Sequence, residues 1–494
     1  MRAVDPSRSF APSMPARLAR RAARTGIALA LVLAGSGCAL FEPKPAWKQP
    51  PPPPAEGPVV AADALHRATL ANGLQVIVLE DRRLPRISAG FTLRRGAGSV
   101  PPAQAGLAEL AMEVIQRGAG DRDALALARI VEDAGASLSA SAGWDTTSVA
   151  LAGLSEDRDL LFEILEDVAL RPRFEASEFE KARSEQAASI VAAQDEPATL
   201  VTWHALRVLY AGHRYGLPDV GTAETLASLD AAAARAYWTD RFVPRNAIFW
   251  AVGDLEAASV IAEAERRFGA MPDRPPIADT PPPPSQTPPA RRIVIVDKPE
   301  LGQARILIAH EGIARTEPER IPIELMNDAL GGSGFSSRLM KSVRGEEGLT
   351  YGIGSGFSLR RHPGPYSIAT FTRVPEVRRV LDIIFDEVRG IQGDRPVSET
   401  ELENFVRYNV GSFGLSLETS DAVLGALVDL MVYGLPDDSL DTYRHRVRAV
   451  TLEEVRRAAQ TRLHPDRAAI VLLGPAEALV PQVEDLGTVE VWEP

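Results

Sequence analysis

The chain contains 494 residues, of which 45% are hydrophobic and 24% are charged, and this length implies more than one domain with a sizeable core. Its formal net charge of −12, with no basic patch beyond the N-terminus, excludes nucleic acid as an expected partner. No stretch after residue 40 is long and apolar enough to span a bilayer.

The N-terminus is predicted to be a signal peptide, residues 1–37. It contains six Arg and one Asp, and its apolar run GIALALVLAG (26–35) has the length of a secretory h-region. The only cysteine, Cys38, follows directly, a placement that resembles the bacterial lipoprotein signal, in which this residue becomes lipidated. Gly35 stands where that signal usually has a large aliphatic residue, so a plain secretory signal with an unmodified cysteine stays open as the alternative.

Residues 38–61 are predicted to form the lipid-anchor cysteine and a proline-rich tether that holds the first domain away from the membrane. Ala39, rather than Asp, follows the cysteine and favours the outer over the inner membrane. We therefore expect a periplasmic lipoprotein of the outer membrane that touches the membrane only through its lipid anchor.

Two globular blocks are predicted, residues 62–271 and 293–494, on either side of the proline-rich linker 272–292. Each block opens with two strands and continues with a helix ending in a glycine-rich turn, a pair of strands and long helices, before closing on a helix and a strand. Because the paired strands adjoin in sequence, we expect antiparallel sheets covered by helices. The sequence thus predicts an α+β protein with two duplicated domains.

The helix predicted within GLAELAMEVIQRG (106–118) has one apolar face and one face that carries Glu109, Met112 and Glu113. Two residues four apart, with a third directly before the second, have the spacing of the H-x-x-E-H motif of inverted zinc proteases. Here both histidine positions are glutamates and the glutamate position is a methionine.

Several motifs in this order resemble the pitrilysin/insulinase-like (M16) superfamily of zinc peptidases, which includes mitochondrial processing peptidase and its bacterial two-subunit relatives. The resemblance covers about residues 62–490 and is carried by GLAELAMEVIQRGAG, RYGLPDVGTAETLASL, FVPRNAIFWAVGD, SRLMKSVRGEEGLTY, YGLPDDSL and VTLEEVRRAA. It implies two related α+β domains, joined by a linker, that close like a clamshell around a peptide.

The resemblance assigns the two zinc-binding histidine positions to Glu109 and Glu113, the general base to Met112 and the distal glutamate ligand to Ser189. All four positions depart from the family pattern. Zinc favours nitrogen and sulfur donors, and a methionine cannot take a proton from water. We therefore expect no metal or other cofactor on this chain and no peptidase activity of the chain alone. A different, hard cation shared by Glu109 and Glu113 is the alternative to a solvated cleft wall.

Arg344 and Tyr351 match the Arg/Tyr pair that, in active members, reaches the bound peptide near the zinc. A guanidinium can hold a carbonyl or a carboxylate by two parallel hydrogen bonds, and a phenol can stabilise an oxyanion. The resemblance therefore implies that Arg344 and Tyr351 bind substrate and its transition state. The alternative is a buried structural tyrosine and a solvated arginine.

Two further stretches resemble peptide-handling parts of the family. Gly331, Gly332 and Gly334 lie in GGSGFSSRL, which resembles the glycine-rich loop and is not a phosphate loop, because no Lys-Ser/Thr follows the glycines. A helix C-cap and turn is the alternative. SLSASAGW (137–144) occupies the position of the edge strand to which peptides add, and an ordinary strand is the alternative there.

These expectations together describe a non-catalytic, substrate-positioning subunit. The resemblance implies a heterodimer with a sister subunit that bears H-x-x-E-H and zinc, to whose site this chain contributes Arg344 and Tyr351. The second hypothesis is a peptide-binding or assembly scaffold of the envelope without hydrolysis.

Overall fold

The structure, a computed structural model, describes residues 57–278, 288 and 290–494. The predicted signal peptide, Cys38 and most of the tether lie outside the described residues, as does the middle of the predicted linker. Within the part of the chain that is described, the helices are too short or too polar to cross a membrane.

The first half of the chain forms one six-stranded sheet and a two-stranded ribbon. Their strands are β1 (Leu65–Thr69), β2 (Gln75–Glu80), β3 (Arg86–Leu93), β4 (Gly118–Ala119), β5 (Arg122–Asp123), β6 (Ser137–Ala142), β7 (Thr147–Leu154) and β8 (Ala247–Gly253). The large sheet has the order β1-β2-β8-β3-β7-β6, and β4 pairs with β5. All neighbours in the large sheet are antiparallel except β2 and β8.

The second half repeats this plan with a second six-stranded sheet. Its strands are β9 (Arg292–Asp297), β10 (Gln303–Glu311), β11 (Ile353–Phe357), β12 (Pro365–Arg373), β13 (Ala469–Gly474) and β14 (Thr488–Trp492). The order is β11-β12-β10-β13-β9-β14, and β9 runs parallel to both of its neighbours. Both sheets are therefore mixed and not purely antiparallel as expected, because strands far apart in sequence can pair in parallel through the long helical connections between them.

Fifteen α-helices surround the two sheets in the described residues. In the first half they are α1 (Leu107–Ile115), α2 (Ala124–Asp133), α3 (Arg158–Leu170), α4 (Ala176–Gln194), α5 (Pro197–Leu209), α6 (Ala223–Ala227), α7 (Ala231–Arg241) and α8 (Ala257–Phe268). In the second half they are α9 (Arg320–Asn327), α10 (Val377–Gln392), α11 (Glu399–Ser412), α12 (Ser420–Tyr433), α13 (Ser439–Ala449), α14 (Leu452–Arg462) and α15 (Ala476–Val483).

Local sequence explains several helix starts. The Asp123 carboxylate accepts a hydrogen bond from the backbone N–H of Ala126 and caps α2. Ser398 and Glu401 form a reciprocal capping box at the start of α11. These caps satisfy backbone donors that have no partner inside the helix.

Two segments of π-helix interrupt the second half, Asp328–Gly332 directly after α9 and Met340–Glu346. π-helical turns are rare and frequently occur at functional sites. Both segments lie in the stretch that contains the predicted glycine-rich loop and Arg344.

One face of each sheet is covered by a helix from the opposite half. Helix α12 places Leu427 in a buried cluster with Ile77 and Ile248 of the first sheet. Helix α5 places Leu200 in a cluster with Val471 of the second sheet. The two halves therefore bury apolar surface against each other rather than being joined only by a linker. The predicted α+β class with two duplicated, helix-covered sheets is confirmed.

Candidate functional site

Helix α1 carries the three positions that correspond to H-x-x-E-H. It begins after Gly106, whose backbone is left-handed (φ 91°) and where a Cβ would lie 2.6 Å from the Val220 carbonyl oxygen, so the position requires glycine. Met112 is buried, Glu109 is half-buried, and half of the Glu113 side chain is exposed. The face predicted as a cleft wall is therefore only partly open to solvent.

The Glu113 carboxylate belongs to an ion-pair network between two helices. Arg117 Nη2 lies 2.5 Å from Glu113 Oε1 and 2.5 Å from Glu185 Oε2, which ties α1 to α4. A guanidinium thus provides the positive charge for the carboxylate that occupies the second histidine position. Sequence reasoning did not find this network, because Arg117 and Glu185 are 68 residues apart.

Glu109 occupies an unfavourable place for a charged carboxylate. Burial, followed by the neighbouring Asp219, raises the pKa of Glu109 to about 7, although the backbone N–H of Ala142 in β6 and the Arg214 guanidinium act in the opposite direction. The contact with Ala142 places the α1 face directly beside β6.

Replacing Glu109 by Gln is expected to stabilise the protein at about pH 8 by about 1–3 kcal/mol, and the gain should disappear at about pH 4. With a folded-state pKa of about 7 against 4.5, the folded wild type binds more protons and loses stability as pH rises through that window. Urea unfolding at both pH values measures the change. Glu113→Gln is the control on the same helix, and an equal pH-dependent gain in that variant would contradict the argument.

Ser189 is exposed on α4, where its Oγ donates a hydrogen bond to the Gln186 carbonyl oxygen at 2.8 Å. The four family positions therefore offer two carboxylates, a thioether and a hydroxyl, and such a donor set does not fit zinc. Across residues 57–278, 288 and 290–494, no three His, Cys, Asp or Glu side chains are grouped so that they could hold a metal ion.

Strand β6, within the predicted peptide-binding stretch 137–144, lies at the edge of the first sheet. Apart from Leu138 its residues are Ser and Ala, and they alternate between exposed and half-buried over most of its length. An edge strand presents unpaired backbone groups to which an extended peptide can add.

In the second half, the structure brings together Arg344, Tyr351 and the glycine-rich loop. Arg344 Cζ lies 4.8 Å from the centre of the Tyr351 ring and 4.6 Å from that of Phe335. Tyr351 is 78% exposed and Phe335 is 73% exposed, while Arg344 is half-buried. The alternative of a buried tyrosine on a strand is therefore wrong, because the ring stands in solvent before β11.

The predicted glycine-rich loop has clear local requirements for glycine. A Cβ at Gly331 would overlap Ser355 of β11, and a Cβ at Gly332 would lie 2.5 Å from the Asn327 amide nitrogen. Gly334 has a left-handed backbone (φ 58°) with open space around it. The loop thus continues the C-terminus of α9 through a π-turn and then projects Phe335.

Phe335 is the member of this group that sequence reasoning missed. The available signal was a large aromatic residue within a run of glycine and serine, where a small polar residue is the usual choice for a turn. Within the described residues, no hydrogen bond, ion pair or ring contact joins the α1 face to Arg344, Tyr351 and Phe335. The site residues therefore form two groups that such contacts do not connect.

Comparison with known proteins assigns the family. Residues 76–223 match the family model described as Insulinase (Peptidase family M16), and residues 228–408 match the model described as Peptidase M16 inactive domain. The chain belongs to the M16 family. The predicted membership is confirmed.

Some relatives of this M16 chain are named as zinc proteases, and one is named as a non-peptidase homologue. It is 24% identical over 412 residues to "Uncharacterized zinc protease YmxG" of Bacillus subtilis, a match over 83% of this chain and 98% of that protein. It is 22% identical to "Non-peptidase homolog YmxG" of Helicobacter pylori over 77% of this chain and 87% of that protein.

Among solved structures, the crystal structure of the peptidase M16 inactive domain from Pseudomonas fluorescens matches with a TM-score of 0.76 and 27% identity. That match covers 83% of this chain and 98% of the other. Family membership fixes the fold, whereas the activity of this M16 chain depends on its own site residues.

Proposed function

We propose that this chain is a non-catalytic, substrate-positioning subunit that pairs with a zinc-bearing M16 sister subunit and contributes Arg344 and Tyr351 to a shared peptidase site. The observation that carries the proposal is the contrast between its two halves. The family zinc positions hold Glu109, Met112 and Glu113, whereas Arg344 and Tyr351 stand together at the surface. Zinc and the general base would come from the partner.

Arg344 is suited to hold a peptide. Its side chain lies against two aromatic rings and makes no hydrogen bond or ion pair with other described residues, so its N–H groups have no acidic partner there. A guanidinium without an acidic partner binds most strongly to a carboxylate or carbonyl group that accepts two parallel hydrogen bonds. The Tyr351 hydroxyl can donate to a developing oxyanion on the same peptide.

The edge of the first sheet offers a second contact for an extended peptide. Strand β6 has unpaired backbone groups at the sheet edge and small side chains that permit close approach. Glu109, which accepts from Ala142 at the end of β6, would border a peptide bound there.

We also propose that the chain acts in the cell envelope, as a periplasmic lipoprotein held to the outer membrane by an acylated Cys38. The support is the sequence pattern of residues 1–61. A membrane-tethered subunit would bring its partner and their peptide substrate to the membrane surface.

A peptide-binding or assembly scaffold without hydrolysis is the second candidate. It is favoured by the ion pairs of Arg117 with Glu113 and Glu185, which give the α1 face a structural role. The name of the Helicobacter pylori relative, a non-peptidase homologue, is in line with this candidate.

The test is to capture the tagged full chain from its native envelope, identify its partners, and assay peptide cleavage by each purified subunit and by the mixture. We expect an H-x-x-E-H-bearing partner and cleavage by the mixture that exceeds either subunit alone by about tenfold or more and is abolished by a chelator. Recovery of other partners, or a mixture no more active than its components, would instead support the scaffold.

A further inference from the structure

Phe335 and Tyr351 form a surface feature that we call the aromatic clamp, two exposed rings that both contact the Arg344 guanidinium. The distances from Arg344 Cζ to the two ring centres are 4.6 and 4.8 Å, within the range of cation–π attraction. Tyr351 was part of the predicted Arg/Tyr pair, whereas Phe335 has no assigned role.

The loop is built to present Phe335. Gly334, directly before it, has a left-handed backbone that a residue with a Cβ would adopt only under strain. On the other side, the fully buried Ser337 donates from its backbone N–H and its Oγ to the Gly334 carbonyl oxygen, at 3.0 and 2.7 Å. Two short-range contacts therefore fix the turn from which the ring projects.

An exposed ring that packs on a cation has a physical consequence for that cation. A free arginine side chain samples many rotamers, and ordering it lowers the affinity for any ligand that it must hold. Rings that cover part of the planar guanidinium restrict these rotamers while leaving N–H groups at its edge free to donate. The aromatic clamp thus pre-organises Arg344.

We infer that Phe335 is a positioning residue: it orients the Arg344 guanidinium for a peptide carbonyl or carboxylate and provides an apolar contact for the neighbouring peptide side chain. This inference rests on the proposed function of Arg344. It also names a substrate class, peptides with a large apolar side chain next to the group that Arg344 binds, because 73% of Phe335 remains exposed for such a contact.

The experiment compares Phe335→Leu, Phe335→Trp and Phe335→Ala in the complex with the partner subunit. Leucine keeps an apolar surface but loses the cation–π contact, so KM should rise about two- to fivefold with kcat unchanged, and tryptophan should restore wild-type KM. Alanine loses both contacts and should also lose the preference for a leucine-containing over an alanine-containing test peptide. Tyr408→Leu is the matched control, since Tyr408 is another exposed aromatic residue (61%) of the second half.

A second readout needs no partner and separates the inference from the proposed function. In the NMR spectrum of the full chain with labelled arginine, the Arg344 Nε–Hε signal should show an aromatic ring-current shift that changes in Phe335→Leu and not in Tyr408→Leu. An unchanged Arg344 signal, or an unchanged KM in a complex whose cleavage does depend on Arg344, would overturn the inference. Cleavage that ignores Arg344 would instead count against the proposed function.

Discussion

Arg344→Ala is expected to lower kcat/KM of the two-subunit peptidase by about 10- to 150-fold, the equivalent of about 1.5–3 kcal/mol for a hydrogen bond to a charged group. The stability of the folded chain should change little, because the Arg344 side chain makes no hydrogen bond or ion pair within the described residues beyond its contacts with the two rings. Steady-state cleavage of a defined peptide by the reconstituted complex, together with the melting temperature of the isolated variant, measures both effects.

Two further variants make this result specific. Arg344→Lys keeps the positive charge but loses the planar guanidinium, so its kcat/KM should lie between those of the wild type and Arg344→Ala. Arg379→Ala removes another exposed arginine of the second half, one that pairs with Glu347, and should cleave like wild type. Cleavage by Arg344→Ala at the wild-type rate would show that the partner needs no arginine from this chain and would leave the scaffold as the better account.

Much of the fold could be predicted from local sequence patterns. The apolar stripe of α1, the repeated order of strands and helices, and the adjacent strand pairs β6–β7 and β11–β12 all follow from hydrophobic spacing and turn residues. The parallel pairs could not be predicted in this way, because β2 and β8 are separated by most of the first half. Strand adjacency in sequence indicates only antiparallel neighbours.

The packing of α5 and α12 on the sheet of the opposite half could not be predicted from the sequence either. Hydrophobic spacing shows that Leu200 and Leu427 are buried, and it does not show which sheet buries them. Only the three-dimensional structure places each residue against a sheet formed by the other half.

The site residues that belong to family motifs could be predicted from the sequence. The family spacing identified Arg344 and Tyr351, and the structure brings their side chains into contact. The Arg117 network and the surroundings of Glu109 depend on residues distant in sequence, so no local pattern indicated them. Phe335 was local, but a lone aromatic residue in a loop has no defined role until its neighbours in space are known.

Leu427→Ala is expected to destabilise both halves of the protein together, by about 2–5 kcal/mol. Leu427 belongs by sequence to the second half, yet its buried side chain lies in the cluster that covers the first sheet. Truncation removes apolar contacts and leaves a cavity between α12 and that sheet. Helix α5 of the first half packs in the same way on the second sheet. The loss of stability should therefore extend to the second sheet as well.

Hydrogen exchange followed by mass spectrometry tests this coupling with two peptides, one containing β2 and one containing β13. If the shared clusters make the halves one cooperative unit, both peptides should lose protection in Leu427→Ala by the same free energy. Leu415→Ala is the control, because Leu415 is 75% exposed and its loss should change stability by less than about 0.5 kcal/mol. Wild-type protection of β13 beside a weakened β2 would show instead that the two halves unfold independently.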